Sequence, residues 1–161
     1  MTQAQDIMTR DVTTVPEAAP IQGLIELAQR TRFGGYPVVD EEGRARGMIS
    51  QADVLRMLAY QFESDEIPVP RPTRHEVASQ LLSFSEREIR ASALARFLSR
   101  PVWDIASAPA ITCRPDTPLA EVCDLVLGRK VHRVVVVDGD DKVVGLISTT
   151  DLVRHLQTGL D

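Results

Sequence analysis

The chain has 161 residues, of which 43% are hydrophobic and 25% charged, and its formal net charge is −5. This composition is typical of a soluble globular protein that buries a core. The acidic balance argues against a nucleic-acid-binding surface. The start resembles no signal peptide, and no apolar run approaches the ~20 residues of a membrane span. We therefore expect a cytoplasmic protein that contacts neither nucleic acid nor membrane.

The first sixty residues predict a β-α-β-β-α unit. Val12–Val15 indicates a short strand, and Pro20 suits the first turn of a following helix that has one apolar face. Two strands over 37–40 and 45–49 are joined by a Gly-containing turn and predict a hairpin. A second helix is expected over 51–60.

The same order returns in residues 104–161. A strand is predicted over 111–113, and Thr117 is the expected N-cap of the helix that follows it. Strands over 133–138 and 143–147 again form a hairpin, and a helix ends the chain. A repeat of this kind indicates two copies of one structural unit.

Residues 61–103 separate the two units. Prolines exclude a regular helix from the first part of this insert. Capping-box patterns beginning at Thr73 and Ser85 predict two helix starts, and the second helix carries an apolar stripe. We expect the stretch 74–99 either to pair with a symmetry mate or to pack on the units.

The junction between the last strand and the last helix of each unit is the most similar stretch. It runs from Gly47 to Asp53 and again, 98 residues later, from Gly145 to Asp151. A Ser at the expected N-cap with Asp three residues on predicts a capping box. The same groups suit a nucleoside, because a carboxylate accepts both ribose hydroxyls and a helix start favours phosphate. Residue types alone favour the capping box and leave the nucleoside site open.

Motifs of catalysis are not found in the sequence. Cys113 and Cys123 form no Cys-x-x-Cys pair and have no clustered histidines, so no metal site is predicted, while a disulfide remains open. There is no phosphate-binding Gly-x-x-x-x-Gly-Lys loop and no nucleophile arrangement. We predict that the protein is not an enzyme.

Three features that occur twice resemble the cystathionine-beta-synthase-like (CBS) domain: an opening Asp-Ile-Met or Asp-Ile-Ala, a Val-Val-Asp strand end, and Gly-h-h-Ser-x-x-Asp, where h is apolar. The tandem resembles a CBS pair, or Bateman module. The resemblance implies an α/β (α+β) fold with two β-α-β-β-α units in a pseudo-two-fold arrangement. The expected division is 1–60, first unit; 61–103, Pro-rich linker and helical insert; and 104–161, second unit.

The resemblance also implies clefts between the units that bind an adenosine-containing ligand, AMP, ADP or ATP, without a required cofactor or metal. The resemblance implies that the Asp binds the ribose hydroxyls, that hydroxyl side chains contact ribose and phosphate, and that a basic residue contacts phosphate. The first strand of the other unit would line the adenine. One nucleotide site is thus expected at Thr13, Thr14, His132, Arg133, Ser148, Thr150 and Asp151.

A second, weaker site is expected at Tyr36, Ser50, Asp53, Ile111 and Thr112. It is expected to be weaker because Gly34 and Ala52 stand where the second unit has His132 and Thr150, which leaves the cleft without a basic contact unless Arg30 or Arg32 reaches it. Arg129 and Lys130 end a helix, where cations suit the dipole, and are expected to make no ligand contact.

The resulting hypothesis is a non-catalytic regulatory module that senses an adenine nucleotide, forms a homodimer and acts on an unidentified regulated protein. One alternative is an oligomerisation scaffold with vestigial clefts, and another is a sensor of S-adenosylmethionine or an NAD-type ligand. Nucleic-acid binding by the basic helix around residues 87–100 is the remaining alternative.

Overall fold

The computed structural model describes residues 1–61 and 93–158. The first half contains six elements, a short helix followed by five elements in the predicted order. These are α1 (Ala4–Ile7), β1 (Val15–Pro16), α2 (Ile21–Thr31), β2 (Gly35–Val39), β3 (Ala45–Ser50) and α3 (Gln51–Gln61).

The rest of the described chain repeats this order after one further helix from the insert. Its elements are α4 (Ala93–Leu98), a 3₁₀ helix (Val102–Asp104), β4 (Thr112–Cys113), α5 (Leu119–Arg129), β5 (Arg133–Val137), β6 (Val143–Ser148) and α6 (Thr149–Thr158). The predicted pair of β-α-β-β-α units is confirmed. The helices predicted to start at Thr73 and Ser85 lie outside the described residues.

Each unit contains one three-stranded sheet in which β2 or β5 is the central strand. The first strand pairs with it in parallel and the third pairs antiparallel. The central strands are buried along nearly their whole length, which explains their continuous apolar sequence. A register shift follows Val38 in the first sheet and Val136 in the second, so even this irregularity recurs at the 98-residue offset.

Reciprocal backbone hydrogen bonds define a pseudo-two-fold axis between the units. Thr9 and Leu146 exchange bonds of 2.9 and 3.0 Å, and the residues related to them by the repeat, Ser107 and Met48, exchange bonds of 2.8 and 2.9 Å. The turns of the two hairpins meet at the bridge between Arg44 and Lys142, which are themselves equivalent positions. The predicted pseudo-two-fold arrangement is therefore observed.

The segment that opens each unit packs on the other unit. Ala4 of α1 is fully buried in the core of the second unit, beside Val122 and Val134. Val102, at the corresponding place before the second unit, is fully buried in the core of the first. This exchange joins the two cores.

Helix α4 shows where part of the insert lies. Its apolar residues Leu94, Phe97 and Leu98 are buried in the core of the first unit, against a cluster that includes Ile21 and Val54. For these residues the expectation that the insert packs on the units is correct.

The N-cap expected at Thr117 is wrong by one residue. Pro118 is the N-cap of α5, just as Pro20 is that of α2, and neither proline makes a side-chain capping bond. The Thr117 hydroxyl instead accepts a hydrogen bond from the Arg114 N–H at 2.9 Å. The hydroxyl therefore closes the turn after β4, a local alternative to capping that threonine offers readily.

Candidate functional site

Both strand-to-helix junctions form the capping box. At the first, the Ser50 N–H and Oγ donate to Asp53 Oδ2 at 2.8 and 2.6 Å, and the Asp53 N–H donates back to Ser50 Oγ at 3.4 Å. At the second, Ser148 and Asp151 make the same three bonds at 2.8, 2.6 and 3.3 Å. The capping interpretation is therefore confirmed at both junctions.

The capping box leaves one oxygen of each aspartate turned toward an arginine three residues on. Arg56 Nη1 lies 3.2 Å from Asp53 Oδ1, and Arg154 Nη1 lies 3.0 Å from Asp151 Oδ1. The arginine side chains are 65% and 68% exposed, and such exposed pairs contribute little stability. Because each carboxylate oxygen has about two acceptor positions, Oδ1 retains capacity for a ligand hydroxyl. Capping and sugar binding are thus compatible in one aspartate.

A cleft of about 220 Å³ lies at the Asp151 junction, between the two units. Five residues of the predicted nucleotide site line it: Thr13, Arg133, Ser148, Thr150 and Asp151. The first unit provides the opposite wall, with Asp11, Val12, Phe33, Gly34 and Gly35 among its residues. The cleft thus combines hydroxyls, two carboxylates and apolar surface, and Arg154 adds a second guanidinium that the sequence-based prediction missed.

Two members of that predicted site lie elsewhere. Thr14 does not line the Asp151 cleft, although its neighbour Thr13 does. His132 lines the cleft at the Asp53 junction instead. The pseudo-two-fold axis explains this, because the residues just before the central strand of one unit face the junction of the other unit. Gly34, the counterpart of His132, accordingly lines the Asp151 cleft.

The Asp53 cleft is larger, at about 430 Å³, and it contains several basic side chains. Of the residues predicted for the weaker site, Ser50, Asp53 and Ile111 line it. The expectation that it lacks a basic side chain is wrong, and Lys130, which is expected to make no ligand contact, also lines it. The basic residues that line it are Arg56, Lys130, His132 and Arg133.

Tyr36 and Thr112 do not line the Asp53 cleft. Tyr36 is 1% exposed, and its hydroxyl is engaged with Thr31 Oγ1 at 2.5 Å and donates to the Phe33 carbonyl at 3.3 Å. Thr112 is exposed in β4, where it pairs with Val135. Tyr36 thus belongs to the core of the first unit, and next to Thr112 it is Ile111 that lines the cleft.

Arg133 lines both clefts, and a glycine gives it room. A Cβ placed on Gly35 would lie 3.0 Å from Arg133 Nη1 and 3.3 Å from its Cζ. Gly35 and Arg133 are equivalent positions, 98 residues apart, at the start of the two central strands. Because Gly35 has no side chain, the first unit leaves room for the large Arg133 side chain of the second unit.

The two cysteines are free thiols. Burial raises the pKa of the Cys113 thiol to about 11, an effect that a hydrogen bond with Thr117 partly offsets. At neutral pH this thiol is protonated, and a protonated thiol is a poor nucleophile.

The family model for the CBS domain matches residues 4–60 and 102–158, which together make up more than half of the chain. The chain therefore belongs to the CBS domain family and carries two CBS domains in tandem. No helix within the described ranges is long and apolar enough to cross a membrane.

Among related sequences, 5′-AMP-activated protein kinase subunit gamma-3 of Bos taurus is 28% identical over 148 residues. That match covers 91% of this chain and only 24% of the kinase subunit, so this chain corresponds to a part of it.

Two crystal structures share the fold. The CBS domain pair of protein MJ0100 in complex with 5′-methylthioadenosine and S-adenosyl-L-methionine has a TM-score of 0.70 and 19% identity, and the match covers 98% of both chains. CBSX2 in complex with AMP has a TM-score of 0.68 and 21% identity, covering 99% of this chain and 98% of that one.

Proposed function

We propose that this CBS pair is a non-catalytic regulatory module that binds an adenosine-containing ligand, AMP, ADP or ATP, in the Asp151 cleft. The observation that carries the proposal is the convergence of Thr13, Arg133, Ser148, Thr150 and Asp151, drawn from both units, on one cleft. The ligand complexes of CBSX2 with AMP and of the MJ0100 pair with adenosyl compounds support the ligand class.

Each wall of the cleft suits one part of such a ligand. Asp151 Oδ1 would accept a ribose hydroxyl, and the hydroxyl-bearing residues Ser148 and Thr150 line the same cleft. Arg133 and Arg154 supply guanidinium groups for phosphate, the anion that their planar donor sets match best. The apolar surface around Val12 and Leu146 would cover the adenine.

The regulatory mechanism follows from the position of the cleft between two units. A ligand that contacts both walls stabilises the relative placement of the units in which both walls reach it. The ligand therefore has a higher affinity for this placement than for others. Binding shifts the population of conformations only through that difference in affinity. We propose that a regulated protein responds to that shift.

Ligand-dependent thermal stability tests the proposal. A ligand present at 100 times its dissociation constant stabilises the folded state by about 2.7 kcal/mol, which for a chain of this size raises Tm by about 5–10 °C. We expect this rise with AMP or ATP and a smaller one with guanosine monophosphate. NAD and S-adenosylmethionine identify the other adenosyl classes. An unchanged Tm with every adenosyl compound would contradict ligand binding and favour the scaffold function.

We also propose a homodimer, because helix α6 has an uncovered apolar face. Val153 and Leu156, three residues apart on that helix, are 57% and 66% exposed. A second copy of the chain would bury both. Light scattering is expected to give twice the 17.8 kDa mass of the chain, and Leu156→Glu is expected to shift the protein toward monomer, whereas Gln157→Glu, on the same helix, is not. A monomer at all concentrations would exclude the dimer.

A further inference from the structure

One wall of the Asp151 cleft is formed by the segment that leads into the first strand. This segment, the N-terminal wall (residues 9–13), contributes four lining residues: Thr9, Asp11, Val12 and Thr13. Because β1 begins only at Val15, pairing with β2 does not hold these residues in place. The contacts that position the N-terminal wall therefore lie outside the first sheet.

Two adjacent residues attach the N-terminal wall to β6 of the second unit. Thr9 and Leu146 exchange backbone hydrogen bonds of 2.9 and 3.0 Å. The Met8 side chain lies directly over Gly145 and packs against the core of the second unit. A Cβ built on Gly145 would overlap Met8 Sδ and lie 2.9 Å from its Cγ, closer than non-bonded carbon atoms approach. The thioether therefore fills the space that Gly145 leaves by having no side chain.

The equivalent glycine of the first unit is covered by backbone instead. A Cβ built on Gly47 would lie 2.7 Å from the carbonyl oxygen of Ser107. Ala106, the counterpart of Met8, provides none of the three atoms nearest to that position. A flexible side chain thus makes the contact at the Asp151 cleft, whereas the backbone makes the equivalent contact in the other unit.

We propose that Met8 is a positioning residue for the Asp151 cleft: its thioether, seated on Gly145, sets the separation between the N-terminal wall and β6, and hence the affinity for the ligand. Methionine suits this role because its unbranched side chain adapts to irregular gaps. A ligand that contacts both walls needs donor–acceptor distances of about 2.7–3.2 Å on each side, so a wall displaced by about 1 Å loses contacts. The effect on affinity rests on the proposed function, whereas the placement of the wall rests on packing alone.

A double-substitution cycle tests the proposal. Gly145→Ala places a methyl group where Met8 Sδ lies, and the backbone permits alanine because the φ of Gly145 is not positive. We expect calorimetry to show an AMP affinity at least about twentyfold lower than that of the unchanged protein. Met8→Ala removes Sδ and Cγ, so adding it to Gly145→Ala is expected to raise the affinity again by about fivefold or more. Met8→Ala alone, which creates no clash, is expected to weaken AMP binding about threefold.

The matched control is Gly128→Ala, the same substitution at a position without neighbours. A Cβ built on Gly128 meets nothing within 4 Å, and this residue lies on α5, outside the Asp151 cleft. The AMP affinity of this variant is expected to equal that of the unchanged protein.

Amide hydrogen exchange followed by NMR reports the position of the wall without any ligand. Gly145→Ala is expected to speed exchange of the Thr9 and Leu146 amides at least about tenfold, and the double substitution is expected to slow it again. The repeat-related amides of Ser107 and Met48, which exchange bonds of 2.8 and 2.9 Å, are expected to keep their protection. Faster exchange at all four amides would indicate a general loss of stability and would overturn the proposal.

The two measurements separate this inference from the adenosyl proposal. Equal AMP affinities in the unchanged protein, Gly145→Ala and Met8→Ala would overturn it, as would a loss in Gly145→Ala that Met8→Ala does not reverse. If no adenosyl compound binds, exchange at Thr9 and Leu146 that responds to Gly145→Ala and recovers in the double variant supports the placement of the wall by Met8 and contradicts only the proposed function. Exchange that does not respond overturns the inference in either case.

Discussion

Replacing Phe97 with alanine is expected to lower the free energy of unfolding by about 3–5 kcal/mol, the usual effect of removing a buried aromatic side chain. Phe97 is 1% exposed and lies in the core of the first unit, although it belongs to the insert between the repeats. Its removal leaves a cavity between α4 and the cluster around Ile21 and Val54. Urea denaturation followed by circular dichroism measures the change.

The neighbouring residue Arg96 provides the matched control. It lies on the same short helix with an exposed side chain. Arg96→Ala is expected to change stability by no more than about 0.5 kcal/mol, as is usual for exposed positions. Equal, small effects at the two positions would mean that α4 does not complete the core, and the insert would then be a connector only.

Replacing Asp151 with alanine is expected to weaken AMP binding at least about tenfold, because hydrogen bonds to a charged group contribute roughly 1.5–3 kcal/mol each. The same change at Asp53 is expected to have little effect on AMP. Isothermal titration calorimetry with AMP on both variants measures the difference.

The two variants are closely matched in structure. Each loses a capping box with the same bond lengths of 2.8 and 2.6 Å from serine to aspartate, so each loses about 1 kcal/mol of helix stability. A difference in AMP affinity between them therefore reports ligand contact and not capping. Calorimetry that gives equal losses for both would contradict the assignment of AMP to the Asp151 cleft.

The repeat made most of the fold predictable. Apolar periodicity predicts the buried face of α2, and all four residues of that face are buried: Ile21, Leu24, Ile25 and Ala28. The second half follows at a constant offset, since α5 and β5 begin 98 residues after α2 and β2. The first strand was predicted over 12–15, whereas β1 covers only Val15–Pro16. This boundary is set by the pairing of β1 with Val38 and Val39 of β2, and the strand propensity of the local sequence does not predict that pairing.

The site was predicted less completely, for a reason of symmetry. Motifs within one unit correctly placed Ser148, Thr150 and Asp151 at one junction, because these residues are local to a strand end and a helix start. His132 and Lys130 precede a strand of the same unit, but they line the cleft of the other. Sequence spacing within a unit does not show that residues of one unit line the cleft of the other.

The arginines that pair with the two aspartates had a signal in the sequence. Arg56 and Arg154 occupy the same repeated position, three residues after Asp53 and Asp151. On a helix this spacing brings two side chains onto one face. Comparison of the repeats beyond the Ser-x-x-Asp pattern would have revealed both.

Arg133 fits over Gly35, so the two halves of the chain contribute different residues at equivalent positions where they meet. Two copies of the second half, joined about the same axis, would bring two guanidinium ions to one point. Two copies of the first half would leave a gap where no side chain reaches. The difference at this pair of positions thus makes each half complementary to the other half and a poor match for a second copy of itself. It therefore favours pairing of the two halves within one chain over exchange of halves between chains.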